Sequence, residues 1–276
     1  MRTILIPALL ALSAAAAPAL AQSGSDDMTV HVAVGQQGRG YEKRGQEIAQ
    51  RLEQRGHQVS VDNYEGSDAI SLAVCDGRAA VGLMQIDAIF AREQEGCELK
   101  TVGTYGNEYA FILFPPDSRM NELSDLDEGD RILVDTIGSG TELFWRTIVG
   151  IETGDMGNKS NWSKATPVHD LTLLAPTMAQ QGEIDAMLMV GVAGNEEVTK
   201  LLESGWELGE LYDKDINDME FRGKSLYARE NVKMEVPGHF FDEKNDAYVV
   251  PSYIVIGGGL QAADRKLYGD IVAASQ

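Results

Sequence analysis

The chain has 276 residues with 43 acidic against 23 basic side chains, a formal net charge of -20, so it repels nucleic acid and anionic lipid headgroups. Its acids are scattered and not blocked, which describes a solvated surface and leaves the ligand open. The length allows one large domain or two smaller ones, each with its own core.

In chain order, Arg2, an apolar run from Ile4 to Ala17 broken only by Pro7 and Ser13, and Ala19-Leu20-Ala21 before Gln22 predict a cleavable secretory signal over residues 1–21. The run is shorter than the ~20 apolar residues a bilayer span needs, and no cysteine follows it. The expected product is a periplasmic protein without a lipid anchor. Removing the signal takes away one arginine and no acid, so 255 residues remain with a formal charge of -21. In an oxidising compartment Cys75 and Cys97 form a disulfide by default, the alternative being two buried thiols. Their spacing is not that of a CxxC redox pair.

Thr29 to Val34 reads as a strand, Gly35-Gln36-Gln37-Gly38-Arg39-Gly40 as a glycine-rich turn, and Tyr41 to Gln54 as a helix with Ile48, Ala49 and Leu52 inward. A second strand follows at Gln58 to Asn63, then a helix capped by Ser67 or Asp68 and ended by Cys75-Asp76-Gly77. Ala80 to Met84 is a short apolar strand, and Asp87 opens a helix to Glu93. Leu99 to Thr104 and Tyr109 to Phe114 read as two apolar strands. Pro115-Pro116-Asp117 is the clearest break in the chain and the expected domain crossing. Beyond it the theme returns: strand Arg131 to Asp135, glycine turn Ile137-Gly138-Ser139-Gly140, and helix Thr141 to Gly150. Short strands at Thr166 to Val168 and Ala186 to Val190 flank a helix at Leu171 to Gln181. Residues 195–248 carry only strand-like pieces at Trp206, Ser225 and Val232 to Pro237. A strong strand at Tyr248 to Ile256 and a terminal helix Leu260 to Ala274 then bring the chain back to its first domain. Alternating strands and helices predict parallel α/β sheets, and the late return predicts two crossings and a hinge.

Both glycine turns lie between a strand and a helix N-terminus, where backbone N–H groups and the helix dipole favour an anion. In the second, Ser139 and Thr141 add hydroxyls. Arg39 and Tyr41 face a ligand or, for Arg39, stand as a free loop cation. Gln85, Asp87, Thr104 and Tyr105 fall at strand ends, where open α/β sheets bind ligands, with helix capping the competing role for Asp87 and packing for Tyr105. The first turn lacks the GxGxxG spacing of a dinucleotide site, and no GxxxxGK[ST] occurs. His31, His57, His169 and His239 lack metal-ligand spacing, and Ser139 lies in GSGT, not in the GxSxG elbow of hydrolases. No metal, cofactor or catalytic residue is therefore expected.

The order of these motifs resembles the extracytoplasmic solute receptors of the TAXI type, which serve tripartite ATP-independent periplasmic (TRAP) transporters. The resemblance spans Val30 to Ile256. It rests on the Gly35–Tyr41 loop, Ser67 before Leu72-Ala73 and Gly77, the Gly82-Leu83-Met84-Gln85-Ile86-Asp87 run, Asp125-Leu126 with Gly129, Gly138-Ser139-Gly140-Thr141-Glu142, and Gly182-Glu183-Ile184-Asp185-Ala186. It implies a two-lobed α/β fold of the type II periplasmic-binding-protein class with a two-strand hinge, lobe 1 being residues 28–113 plus 251–276 and lobe 2 residues 114–250. It also implies a monomer that binds a small carboxylate. Carried over by position, the contacts fall on Gln37, Ser67, Gln85, Tyr105, Ser139, Gly140 and Thr141, beside Arg39 and Tyr41 from the first loop. The expected partner is a membrane transporter or, alternatively, a signalling membrane protein for which the receptor is a sensor input. A serine hydrolase built on Ser139 is the enzymatic alternative.

Overall fold

The computed structural model describes residues 29–154, 157–234 and 243–276. The expected signal at 1–21 lies outside them, as do Pro237 and His239. In chain order the elements are β1 (Val30–Val34), α1 (Gly40–Glu53), β2 (Val59–Asn63), α2 (Ser67–Cys75), β3 (Val81–Gln85), α3 (Ile86–Gln94) and β4 (Leu99–Phe114). After β4 come β5 (Arg131–Leu133), α4 (Gly140–Thr153), β6 (Thr166–Val168), α5 (Ala175–Gln180), β7 (Ala186–Gly191), α6 (Glu196–Glu203), β8 (Glu207–Gly209) and α7 (Lys214–Asp218). The remainder is β9 (Glu220–Phe221), β10 (Lys224–Ser225), β11 (Arg229–Met234), β12 (Glu243–Gly257), α8 (Leu260–Ala263) and α9 (Arg265–Ala274).

Ten strands form one mixed sheet in the order β2-β1-β3-β12-β4-β7-β5-β6, with β11 on β12 and β8 on β4, and β9 and β10 form a separate antiparallel pair. Its two ends are parallel βαβ units: β1 lies parallel to β2 and β3, and β5 lies parallel to β6 and β7. The fold is therefore two α/β lobes joined by the long antiparallel pair β4 and β12, a two-strand hinge. Along β12, Arg229 to Met234 of β11 pair with Glu243 to Tyr248, whereas β3 pairs with Ser252 to Val255. Along β4, the pairing with β7 begins only at Tyr109.

The two apolar strands expected at 99–104 and 109–114 are one strand. Gly106, Asn107 and Glu108 interrupt the apolar pattern and so read as a turn, but Ser252, Pro251 and Val250 of β12 pair with them and keep the strand continuous. Pro115 ends β4 instead of marking the change of partners, which lies upstream near Gly106 to Tyr109. The helix expected at 171–181 is a 3-10 turn, Thr172–Leu174, followed by α5 with Pro176 near its start. The expected C-terminal helix is split, because the Asp264 side chain accepts from Leu267 N and starts α9 afresh. Helix α6 has no counterpart in the sequence reading, although Asn195 caps it through Glu197 N and Val198 N.

Alternation along β1 builds two cores in the first lobe. Val30, Val32 and Val34 pack with Ile48 and Leu52 of α1 and Ile271 of α9, while Ala33 faces Ile70, Ala73 and Val74 of α2 and Ile89 of α3. Arg51 donates to the carbonyls of Ala274 and Gln276 and ties the C-terminus onto α1. Among the described residues no helix is long and apolar enough to cross a membrane.

Cys75, at the end of α2, is bonded to Cys97, just before β4, across 22 positions. Closing a loop of this size restricts the unfolded chain and contributes roughly 3 kcal/mol. Cys75→Ser is thus expected to lower unfolding stability by that amount in urea titrations. Reductant should shift the wild-type curve by the same amount and leave the variant's unchanged.

Candidate functional site

A cavity of about 450 Å³ lies between the lobes, lined from the first by Arg39, Tyr41, Ser67 and Gln85 and from the second by Asp135, Ser139 and Thr141. The two glycine turns meet here. They share a device 100 residues apart: Gly38 N donates to Glu42 Oε2 at 2.5 Å, and Gly138 N donates to Glu142 Oε2 at 3.3 Å. Each turn therefore supplies its own carboxylate to one of the N–H groups that an incoming anion would use. At α4 the Ser139 oxygen also accepts from Glu142 N and the Thr141 oxygen from Val190 N, which leaves both hydroxyl protons to donate. Helix α1 has Arg39 at its cap and no side-chain cap. Its first N–H groups and Arg39 make the better anion seat.

The floor of the cavity is organised around Glu108, at the middle of β4. Its Oε2 accepts from Tyr41 Oη at 2.8 Å, Ser252 Oγ at 2.7 Å and Gln85 Nε2 at 3.1 Å. Ser252 belongs to β12, so the cluster joins both hinge strands to α1 and β3. Burial, and then the Glu108 carboxylate, hold the Tyr41 phenol well above its ordinary value. The same two causes raise Tyr105, whose ring packs edge-on to Tyr41 with centroids 5.0 Å apart. With three donors on Oε2, Glu108 Oε1 carries no hydrogen bond among the described residues. Gln85 Oε1 is buried without a partner. Two acceptors at the floor therefore lack donors.

Arg39 is the one cation among the lining residues, against the four carboxylates of Glu65, Glu108, Asp135 and Glu197. Burial raises the Asp135 carboxyl above its ordinary value, and this residue holds a left-handed backbone with φ 67, a conformation that Asp tolerates better than most.

The lobes touch at small residues. An added Cβ on Gly66 would lie 2.4 Å from the Gly138 carbonyl oxygen, and one on Gly140 would lie 2.4 Å from Gln85 Oε1. Asp68 of α2 accepts from Arg92 at 3.2 Å and from Arg146 of α4 at 2.9 Å, an ion-pair strut across the cleft wall.

No protein-family model matches the chain, and no curated protein does. Among solved structures, XAC2383 from Xanthomonas citri bound to chloride aligns over 89% of this chain and 82% of its own, with a TM-score of 0.54 at 11% identity. Lactococcal OpuAC, closed around glycine betaine, aligns over 90% and 84% with a TM-score of 0.50 at 11% identity. The aliphatic sulphonate binding protein SsuA from Escherichia coli aligns over 90% and 68% with a TM-score of 0.48 at 14% identity. The fold is that of the two-lobed periplasmic binding proteins.

Within that fold, Arg39, Tyr41, Ser67, Gln85, Tyr105, Ser139, Gly140 and Thr141 all line the one cavity, and Gln37 is exposed outside its lining. Ser67 Oγ accepts from Gln85 N at 3.2 Å and so fixes the backbone beneath Gln85. Asp87 is fully buried away from the cavity, where it accepts from Ala88 N and Tyr227 Oη. Sequence reasoning missed Glu65, Glu108, Asp135, Asn195 and Glu197. For Glu108 the only signal was an acid between Tyr105 and Tyr109 at the break between two apolar runs.

Proposed function

We propose that the protein is an extracytoplasmic solute receptor that closes its lobes on a small carboxylate-bearing solute and delivers it to a membrane transporter of the TRAP type. We assign lobe 1 to the residues before the change of partners near Gly106 to Tyr109 together with 251–276, and lobe 2 to the residues between them; the secretory signal expected at 1–21 supports an extracytoplasmic location. One observation carries the reading: residues from both lobes and from the hinge strand β4 line one cavity of ligand size, so a solute held there favours the closed form over the open one. The Ser139 oxygen caps α4 by accepting from Glu142 N, which supports a structural and binding role for it over that of a nucleophile.

The solute is a zwitterion. Its carboxylate sits at the uncapped start of α1 beside Arg39, and an ammonium or similar N–H donor faces Glu108 Oε1 and Gln85 Oε1, the two acceptors without donors. A plain dianion would meet four carboxylates with one arginine to offset them. In thermal-shift titrations, small acids carrying an ammonium group are expected to raise the melting temperature, and matched acids lacking it to raise it far less. Glu108→Gln is expected to weaken the best of them about tenfold or more, from the loss of a charge-assisted hydrogen bond. No shift with any member at millimolar excess overturns the receptor reading. Equal shifts with and without the ammonium overturn the zwitterion.

A further inference from the structure

Far from the cleft, the C-terminal end of α4 meets the start of α7. There Glu152, Asp213 and Asp215 each place a carboxylate oxygen within 4.8 Å of the others. Every hydrogen bond they accept comes from a neutral group. Ser160 N donates to Glu152 Oε1, Trp162 Nε1 to Asp213 Oδ2 at 3.1 Å, and Asn158 N to Asp215 Oδ2 at 2.7 Å. Asp213 Oδ1 receives Asp215 N and Ile216 N. The adjacent cation, Lys214, pairs with Asp218 instead, and among the described residues no basic side chain forms an ion pair with any of the three. Three carboxylates so placed repel one another.

A second observation points to an occupant. Glu152 is wholly buried, and its Oε2 has no hydrogen-bond partner. A buried carboxylate with one oxygen unpartnered, lying beside two further carboxylates, calls for a positive charge. The local backbone is shaped around this point: Gly157 lies so close to the Glu152 carbonyl that no side chain would fit, and Lys159 N donates to that same carbonyl. Asp213 and Asp215 are only partly buried, which leaves an entry path and room for water ligands.

We propose that Glu152, Asp213 and Asp215 form a divalent-cation site whose ion is calcium. All the donors are hard oxygens with no nitrogen or sulfur among them, and their irregular placement on a helix end and a short helix suits the flexible coordination of calcium better than the strict octahedron of magnesium. The ion joins the end of α4, residues 157–160 and α7. Affinity is expected on the order of 10⁻⁴ M, the range of extracellular calcium modules. The site does not depend on the solute reading, because it lies at the opposite end of the fourteen-residue α4 from the cleft, about 20 Å away.

Trp162 supplies the readout. Its indole is hydrogen-bonded to a proposed ligand, so terbium bound there takes up energy absorbed by the tryptophan. In the full protein, terbium emission excited through tryptophan is expected to appear on titration and to be displaced by calcium. Asp215→Asn and Glu152→Gln should each weaken calcium about tenfold or more, as removal of one ligand charge does. Millimolar calcium should also raise the melting temperature of the wild type and raise that of Asp215→Asn markedly less. Absence of sensitised emission, emission that calcium does not displace, or a calcium affinity in both variants equal to that of the wild type overturns the site. Where a variant does not fold, the wild-type melting temperature decides alone: no rise with millimolar calcium overturns the site.

Discussion

Gly66→Ala is expected to lower solute affinity roughly thirty- to a hundredfold while leaving the stability of the solute-free protein almost unchanged. Gly66 caps α2 with an extended backbone, φ 176, which alanine adopts without strain, so the first lobe folds as before. The cost arises only where the lobes meet, because the new Cβ would lie 2.4 Å from the Gly138 carbonyl oxygen and 2.9 Å from Ser139 Cα. Both are backbone atoms that cannot rotate aside. Overpacking of this kind costs about 2–3 kcal/mol, and a penalty borne only by the closed form passes directly into the dissociation constant. Gly140→Ala offers the contrast. Its neighbour is the end of Gln85, which can swing away, but only by breaking the bond to Glu108. Calorimetric titration checks both variants, with urea unfolding as the control. Unchanged affinity in Gly66→Ala would mean that the lobes hold solute without approaching as closely as they do here.

Much of this machinery is legible in the sequence because it is local. A strand, a glycine turn and a helix are written in consecutive residues, and so the loops at Gly35 to Tyr41 and Gly138 to Glu142 can be found and compared. Eight of the nine residues singled out as ligand contacts line the one cavity, Gln37 being the exception, because the tops of parallel strands are where such turns must converge. The acids are different. Glu108 reads as part of a turn between two strands, and only its pairing with β12, more than 140 positions away, makes it the floor of the cleft. Glu197 and Asn195 belong to a helix whose one turn of apolar residues, Val198, Leu201 and Leu202, is too short to stand out from its charged neighbours. The expected anion seat was read from glycines alone. What those glycines bind in part is Glu42 and Glu142, and that competition shows only once the side chains are placed. Charge balance at the cleft is thus a property of long-range assembly, and it changes the expected solute from a simple anion to one bearing both signs.

Stability is expected to fall as the pH rises from about 4 to about 7, and Asp87 is the reason. This carboxyl sits at the start of α3, wholly buried, with Ala88 N at 3.0 Å and Tyr227 Oη at 3.3 Å as its donors. Burial pushes it up from 3.8 to about 7, and the Glu108 carboxylate adds to the shift, while its two hydrogen bonds oppose it. In the unfolded chain Asp87 has already lost its proton near pH 4. The folded state keeps it to about pH 7, so the folded state binds more protons throughout that window and loses its advantage as they become scarce. The full effect is on the order of 4 kcal/mol, of which on the order of 3 kcal/mol falls between about pH 5 and pH 8. Asp87→Asn removes the titration, so the difference in urea stability between wild type and variant should change by that amount across the same range, in favour of the variant at high pH. Tyr227 belongs to the stretch proposed above as the second lobe, and ionised Asp87 would face it in the buried contact between them, away from the cavity. Solute affinity of the wild type should therefore respond to pH in this range more than that of the variant. Parallel curves for the two proteins would mean that Asp87 is already ionised in the fold at pH 5, and that its two donors compensate for burial in full.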